Sequence, residues 1–328
     1  MVTVFIVFLL TLLVITAIGI VRTRDLFAAV MLTGIFSLEL AIVFFLLDAA
    51  DVALTEAAVG AGIATVLLLG ALALTDDRER GRRMRRGLGL VVAAGAAASL
   101  VYASFEQPRL GDPLAPAHQH VAPWYLEQTP ELVGVPNVVT AVLASFRGYD
   151  TLGELFVIFT AAIGVRFILG TRLRTLRHGE LPSADESGLR SHLVPAVVGR
   201  LLLPFIVLFG LYVQFHGDYG PGGGFQAGAL IAAGLILYAM LAGEEAALKA
   251  VPRPILMGMT VAGVLLYSAV GVAGMLLGGN FLDYSVLLAD PVAGQHLGIL
   301  LIELGVGITV AGALLSIFHA FAAHRTAH

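Results

Sequence analysis

The chain has 328 residues, 58% of them hydrophobic and only 13% charged, about half the charged share of a soluble domain. Mean hydropathy is +0.92, the net charge is −4 and there is no cysteine. These values exclude a water-soluble globule, disulfides, thiolate metal sites and cysteine nucleophiles. A single Trp, with no basic patch beside aromatics, argues against nucleic-acid binding.

A membrane-spanning helix needs about 20 mostly apolar residues. Nine stretches meet that length: Val2–Ile20, Leu26–Leu47, Val52–Leu74, Leu88–Phe105, Thr151–Leu169, Val194–Phe215, Phe225–Leu241, Ile255–Leu277 and Gln295–Phe318. The predicted fold class is all-α, a polytopic membrane bundle of about nine helices. The first stretch has no basic segment before it and no A-x-A-like site after it, so it reads as a spanning helix and not as a cleaved signal. The fourth, rich in Gly and Ala, is the weakest on hydropathy, and its small residues suit close helix packing.

Basic residues fix the orientation, because cytoplasmic connections carry the excess of Lys and Arg. In a nine-helix chain, alternate connections fall on one side. That side holds Arg22 and Arg24, then Arg78, Arg80, Arg82, Arg83, Arg85 and Arg86. It also holds Arg172, Arg174, Arg177 and Arg190, then Lys249 and Arg253, and Arg325 in the tail. The other side holds Arg109 and Arg147, with Arg166 and Arg200 inside helices, either snorkelling to the interface or pairing with carboxylates. The N-terminus is therefore expected outside and the C-terminus inside. The longest outside connection, Glu106–Asp150, contains six prolines, so its first half is expected to hold little helix. The apolar run Pro136–Ser145 is expected along the membrane surface. His178–Gly188 reads as a polar linker dividing five helices from four.

Ionisable groups within a bilayer are costly and often mark ion or proton routes. Five carboxylates qualify: Glu39 in the second helix, Glu56 early in the third, Asp150 and Glu154 at the start of the fifth, and Glu303 in the ninth. Asp150 and Glu154 are four apart and share a helix face. Two such groups resist ionising together, which suits proton exchange, and their oxygens also suit a hard cation. Asp150 is otherwise a helix cap, and Glu39, Glu56 and Glu303 are otherwise structural hydrogen-bonding groups. Glu303 follows His296 by seven residues, placing both on one face as a relay or a structural pair. The sequence FHGDYGPGGGFQAGAL, from Phe215, joins the sixth and seventh helices. Its Pro221, Gly222, Gly223 and Gly224 break regular helix. Irregular backbone at membrane depth lines a cavity or is buried in protein, so His216 and Asp218 beside it are candidate ion-guiding groups. The alternative is a tight turn for close helix contact. It is not a phosphate loop, since the Lys-Ser/Thr is missing and no strand precedes it. No Lys lies in any span, which argues against a complete pump with an intramembrane lysine axis.

FHGDYGPGGGFQAGAL resembles the signature of the B subunit of multisubunit Mrp-type Na⁺/H⁺ antiporters, and the likeness runs over Leu193–Phe321. The first three helices, with ALTEAAVGAG, resemble a segment near the C-terminal end of the antiporter A subunit. That segment is also a separate small subunit of membrane-bound hydrogenases. Helices four and five, with FRGYDTLGE, resemble the next module of that tail. The chain thus resembles a B subunit fused to the C-terminal modules of an A subunit, divided as 1–76, 77–178 and 179–328. The resemblance implies a subunit of a monovalent cation (Na⁺)/proton antiporter related to respiratory complex I. It implies Glu56, Asp150 and Glu154 in ion transfer, and Pro221 and Phe225 in a functionally sensitive motif. The family often has a second His where this chain has Asp218, which puts the loop's own protonation chemistry in question. The implied partners are other antiporter membrane subunits, including a large one of the proton-pumping type, together with Na⁺, H⁺ and the lipid of the cell membrane. No cofactor or metal and no enzymatic activity of its own is expected. The rival readings are an ion-translocating subunit of a redox complex such as a membrane-bound hydrogenase, a purely structural linker, and a self-sufficient channel.

Overall fold

The computed structural model describes residues 2–72, 75, 78–79, 83–109, 111–173 and 193–325. Among these residues nine helices are long and apolar enough to cross a membrane, and no strand occurs beyond an isolated Asp25–Arg78 bridge. The chain runs α1 (Val2–Arg22), α2 (Leu26–Leu46), α3 (Ala50–Leu72) and α4 (Arg83–Ser104). A single helical turn at Pro116–Gln119 precedes two longer helices, α5 (Val121–Leu132) and α6 (residues 138–146), and then α7 (Gly148–Leu173). The last part holds α8 (Leu193–His216), α9 (Gly224–Ala242), the short α10 (Glu244–Ala250), α11 (Arg253–Leu276) and α12 (Pro291–Arg325). The nine predicted spans all appear, and α12 extends past its predicted ends on both sides. Arg80, Arg82, Arg174, Arg177, Arg190 and the predicted linker His178–Gly188 lie outside the described residues, as do the side chains of Arg83, Arg85, Arg86, Arg172 and Arg325.

Contacts between connections establish the alternation of the helices. At one end, the Glu79 amide donates to the Arg24 carbonyl at 3.0 Å, and Phe321 of α12 lies against Gly70 of α3. At the other end, Asn137 meets both Asp51 and the connection between α8 and α9. The basic connections at Arg22–Arg24 and at Arg78 therefore share one end.

The long connection departs from expectation. Val121–Leu132 is helical even though it contains Pro123 and Pro130. Pro123 is its third residue, where backbone amides have no intrahelical partner in any case. Pro130 sits in the last turn and removes a single ladder bond. Residues 138–146 turn one face to the bundle and leave Val139 and Leu143 exposed on the other. They form α6, whose Ala141 and Ala144 are buried in the bundle core.

The helix α12 is the most buried span, packed on α11, α9 and α7. Lipid offers no hydrophobic drive for helix association, so close backbone approach has to supply it. Gly263 of α11 faces Gly305 of α12, and Gly224 and Gly228 of α9 face the Glu303–Gly307 backbone. Two tyrosines fasten the start of α7 to this core. The Tyr267 hydroxyl donates to the Gly148 carbonyl at 2.8 Å, and the Tyr284 hydroxyl to the Ala144 carbonyl at 3.0 Å. Burial pushes the Tyr284 hydroxyl well above the ordinary tyrosine range, and the neighbouring Tyr267 adds to this. By contrast, none of the apolar window of α4 is buried, and its Gly87, Gly89 and Gly95 have nothing within 4 Å.

Candidate functional site

A cavity of about 600 Å³ lies among α3, α6, α7, α9 and α12. Its walls are mostly apolar, and its polar groups come from every one of these helices. They are Asp51 and Thr55 of α3, Thr140 of α6, Thr151 and Glu154 of α7, Gln226 of α9 and Glu303 of α12. The backbone of Gly222, Gly223 and Gly224 completes the lining, with Phe225 beside it. Glu154 remains exposed, so the cavity is open on the α7 side.

The glycine-rich connection shapes one wall. Gly223 has φ +113° and ψ 179°, a conformation open to glycine and not to side-chain-bearing residues. Its amide donates to the Val213 carbonyl at 3.1 Å, folding the connection back on the end of α8. The carboxylate of Glu303 lies against this turn. A Cβ on Gly217 would fall 3.0 Å from one of its oxygens, and a Cβ on Gly223 3.1 Å from the other. The helix α9 starts at Gly224 with no side-chain cap. Its first-turn amides have no intrahelical partner, and they form the positive end of the helix dipole beside the Glu303 carboxylate. Across the cavity, the Gln226 amide donates to the Thr55 hydroxyl at 2.7 Å. The Thr55 hydroxyl in turn donates to the Asp51 carbonyl at 2.9 Å.

Only part of the predicted set converges here. Glu154 and Glu303 meet in the cavity with Gly222, Gly223, Gly224 and Phe225, while Pro221 is exposed at its rim. Asp218 lies 3.4 Å from His296, so Glu303 and His296 do face one connection, two turns apart on α12. His216 stacks on Tyr212 with ring centres 4.8 Å apart. Asp150 is exposed, ion-paired to Arg147 at the start of α7, and does not line the cavity. Glu56 opens a π-helical stretch of α3, Glu56–Ala64, and sits with Ser37 of α2 around Gly60. The wide π turn is a recurrent feature of functional sites. Glu39 is buried between α1 and α2, where Thr16 donates to one oxygen at 3.1 Å and the other oxygen has no hydrogen-bond partner.

Sequence reasoning missed Asp51, Thr55, Thr140, Thr151 and Gln226. Asp51 stands at a span boundary, where an acidic residue looks like an ordinary helix start. Gln226 follows the glycine run directly, and that adjacency was the available signal. The cavity offers carboxylate, hydroxyl and amide oxygens, the donors that suit protons and hard monovalent cations. Among the described residues no group of three His, Cys, Asp or Glu side chains is placed to hold a metal ion.

Three family models match successive parts of the chain. The model for the D subunit of MBH matches residues 11–77, and the model for the E subunit of MBH matches residues 82–183. The third, "Domain related to MnhB subunit of Na+/H+ antiporter", matches residues 194–316. A Rhizobium meliloti protein, named as the probable A/B subunit of a K(+)/H(+) antiporter, is 29% identical over 324 residues, covering 90% of this chain and 32% of that protein. A Staphylococcus aureus protein named "Putative antiporter subunit mnhB2" is 30% identical over 132 residues, covering 39% of this chain and 93% of the relative. Among solved structures, the Mrp complex of Dietzia sp. DQ12-45-1b contains a chain 30% identical, with a TM-score of 0.76. That likeness covers 96% of this chain and 34% of the Dietzia chain. The chain thus spans about a third of the length of the Rhizobium and Dietzia relatives. It is a multi-pass membrane protein that belongs to the family of MnhB-related antiporter subunits, its MnhB-like part preceded by modules like those of the antiporter A subunit.

Proposed function

We propose that the chain is a membrane subunit of a multisubunit monovalent cation/proton antiporter and that the cavity is part of its ion path. The observation that carries this reading is the convergence of Glu154, Glu303 and Asp51 on one cavity beside the glycine-rich turn. Carboxylates at membrane depth are expensive to keep and are retained for ion or proton traffic. Glu56, Asp150 and Glu39 lie outside the cavity and are proposed as further stations on the path. His216 and Asp218 flank it from the glycine-rich motif. The division into modules 1–76, 77–178 and 179–328 is supported by the separate family matches. The excess of Arg on one set of connections supports an outside N-terminus and an inside C-terminus. Other antiporter membrane subunits, including a large proton-pumping-type one, are the proposed partners, Na⁺ and H⁺ the proposed ions, and the cell membrane the location.

The test is Na⁺/H⁺ exchange in everted vesicles carrying the complete complex. Native chain is compared with Glu154→Gln and Glu303→Gln, with assembly checked in each. Glutamine keeps the shape and cannot carry a proton. Exchange is expected to fall at least tenfold in both, less than the roughly 10²-fold low end of a general acid–base contribution because bypass carries part of the flux. Unchanged exchange in both assembled variants would remove the cavity from the ion path.

A further inference from the structure

Beside the cavity, in contact with its lining residue Asp51, stands a polar residue that the ion path does not use. Asn137 lies between α5 and α6 and spends every hydrogen-bonding group it has. Its side-chain oxygen accepts from the Val139 amide at 3.0 Å, capping α6. Its side-chain NH₂ reaches the Gly220 carbonyl at 2.9 Å, the Gly217 carbonyl at 3.2 Å and an Asp51 carboxylate oxygen at 3.4 Å. Its backbone amide donates to the Asp218 carbonyl at 2.9 Å. One turn on, the Thr140 hydroxyl donates to the same Gly217 carbonyl at 2.7 Å. Three carbonyls of the connection between α8 and α9 are therefore committed to residues 137–140, just before the chain enters Pro221–Gly224.

Asn137 is also a meeting point of all three parts of the chain. It belongs to the middle part, Asp51 to the first, and Gly217 and Gly220 to the last. Two N–H bonds serve three acceptors, so at least two of the acceptors share a donor. Only a carboxamide supplies an acceptor for the cap and two donors for the turn from one side chain.

We propose that Asn137 is a positioning residue whose amide holds the glycine-rich turn and the Asp51 carboxylate in register beside the cavity, and so sets how tightly the site takes up its monovalent cation. This rests on the reading of the cavity as part of an ion path. Binding groups held in place before the ion arrives bind it with less ordering cost. Losing the amide frees the turn and leaves Asp51 to adopt other orientations.

Two substitutions separate positioning from helix capping. Asn137→Ser keeps an oxygen that caps α6 about as well as Asn does, but it is too short to reach Gly220. Asn137→Ala removes both. The assays are Na⁺-dependent exchange in vesicles with the complete complex, and amide hydrogen exchange of residues 217–223 in the purified complex. Positioning predicts that Ser and Ala behave alike. Half-maximal exchange would need about fivefold more Na⁺, the loss of roughly one net hydrogen bond, while the maximal rate is kept and the turn exchanges faster. Asn137→Thr, another short capping residue, stands in if the Ser variant does not assemble. A Ser variant with native Na⁺ dependence and native turn protection overturns the proposal and leaves Asn137 as a cap. If the native complex shows no exchange at all, the ion-path reading fails. Turn protection alone then decides whether Asn137 positions the connection, and native protection in the Ser variant overturns it.

Discussion

The joint between α9 and α12 makes a strong stability prediction, at Gly228→Ala. A Cβ added there would lie 2.6 Å from the Gly307 carbonyl oxygen and 2.9 Å from the Val310 Cβ. The first gap is about 0.8 Å short of ordinary van der Waals contact. Neither obstacle is the end of a flexible side chain, so the two helices must move apart. Overpacking of this kind costs about 1–3 kcal/mol, and better helix propensity for Ala returns at most about 1 kcal/mol. With that full return the net expectation is a loss of up to about 2 kcal/mol. Gly258→Ala on α11 is the control, since nothing lies within 4 Å of that position, and it should be neutral or slightly stabilising. Thermal unfolding of the full chain in one detergent, followed by tryptophan fluorescence and aggregation onset, compares the two. The reasoning about close backbone contact is refuted if Gly228→Ala unfolds at or above the temperature of Gly258→Ala.

Other expectations rest on single contacts. Tyr284→Phe strips the donor from the buried Ala144 carbonyl and should cost about 1–3 kcal/mol at neutral pH by thermal unfolding. The hydroxyl's pKa is raised in the folded chain, so its stabilisation is full below the unfolded value near 10 and declines as pH rises beyond it. The gap between native and Phe proteins should therefore narrow above about pH 10, and a gap that stays constant there would contradict the assignment. Gly223→Ala forces a side chain into φ +113° with its Cβ 3.1 Å from a Glu303 oxygen. It should impair exchange more than Gly258→Ala in matched vesicles, and equal activity would show that the turn tolerates strain.

The nine spans were legible because each is an apolar run of membrane length, and lipid leaves the backbone no alternative to helix. The spacing of basic residues added the alternation, which the pairing of Glu79 with Arg24 bears out for the first and third connections. The cavity was legible only in pieces. Glu154 and Glu303 stood out as carboxylates inside apolar helices, but they are far apart in the chain and no local pattern says that α7 and α12 face each other. Asp51 and Asn137 carry no such flag, since polar residues at span ends are the rule. The helix at Val121–Leu132 was misjudged because prolines were counted without their positions in the turns. The π-helical stretch from Glu56 arises where small residues let α3 widen against α2, and periodicity over so short a window does not reveal it.

The two tyrosine hydroxyls that fasten α6 and α7 to the later helices bear on how such a chain came to be. They join Ala144 and Gly148 to Tyr284 and Tyr267, groups on opposite sides of the 174–192 stretch in sequence. The bonds run between surfaces and not through the peptide link. Covalent continuity of the chain then adds local concentration to bonds that already join the two surfaces. A fused chain delivers the two sides of these bonds in equal numbers, one of each per molecule.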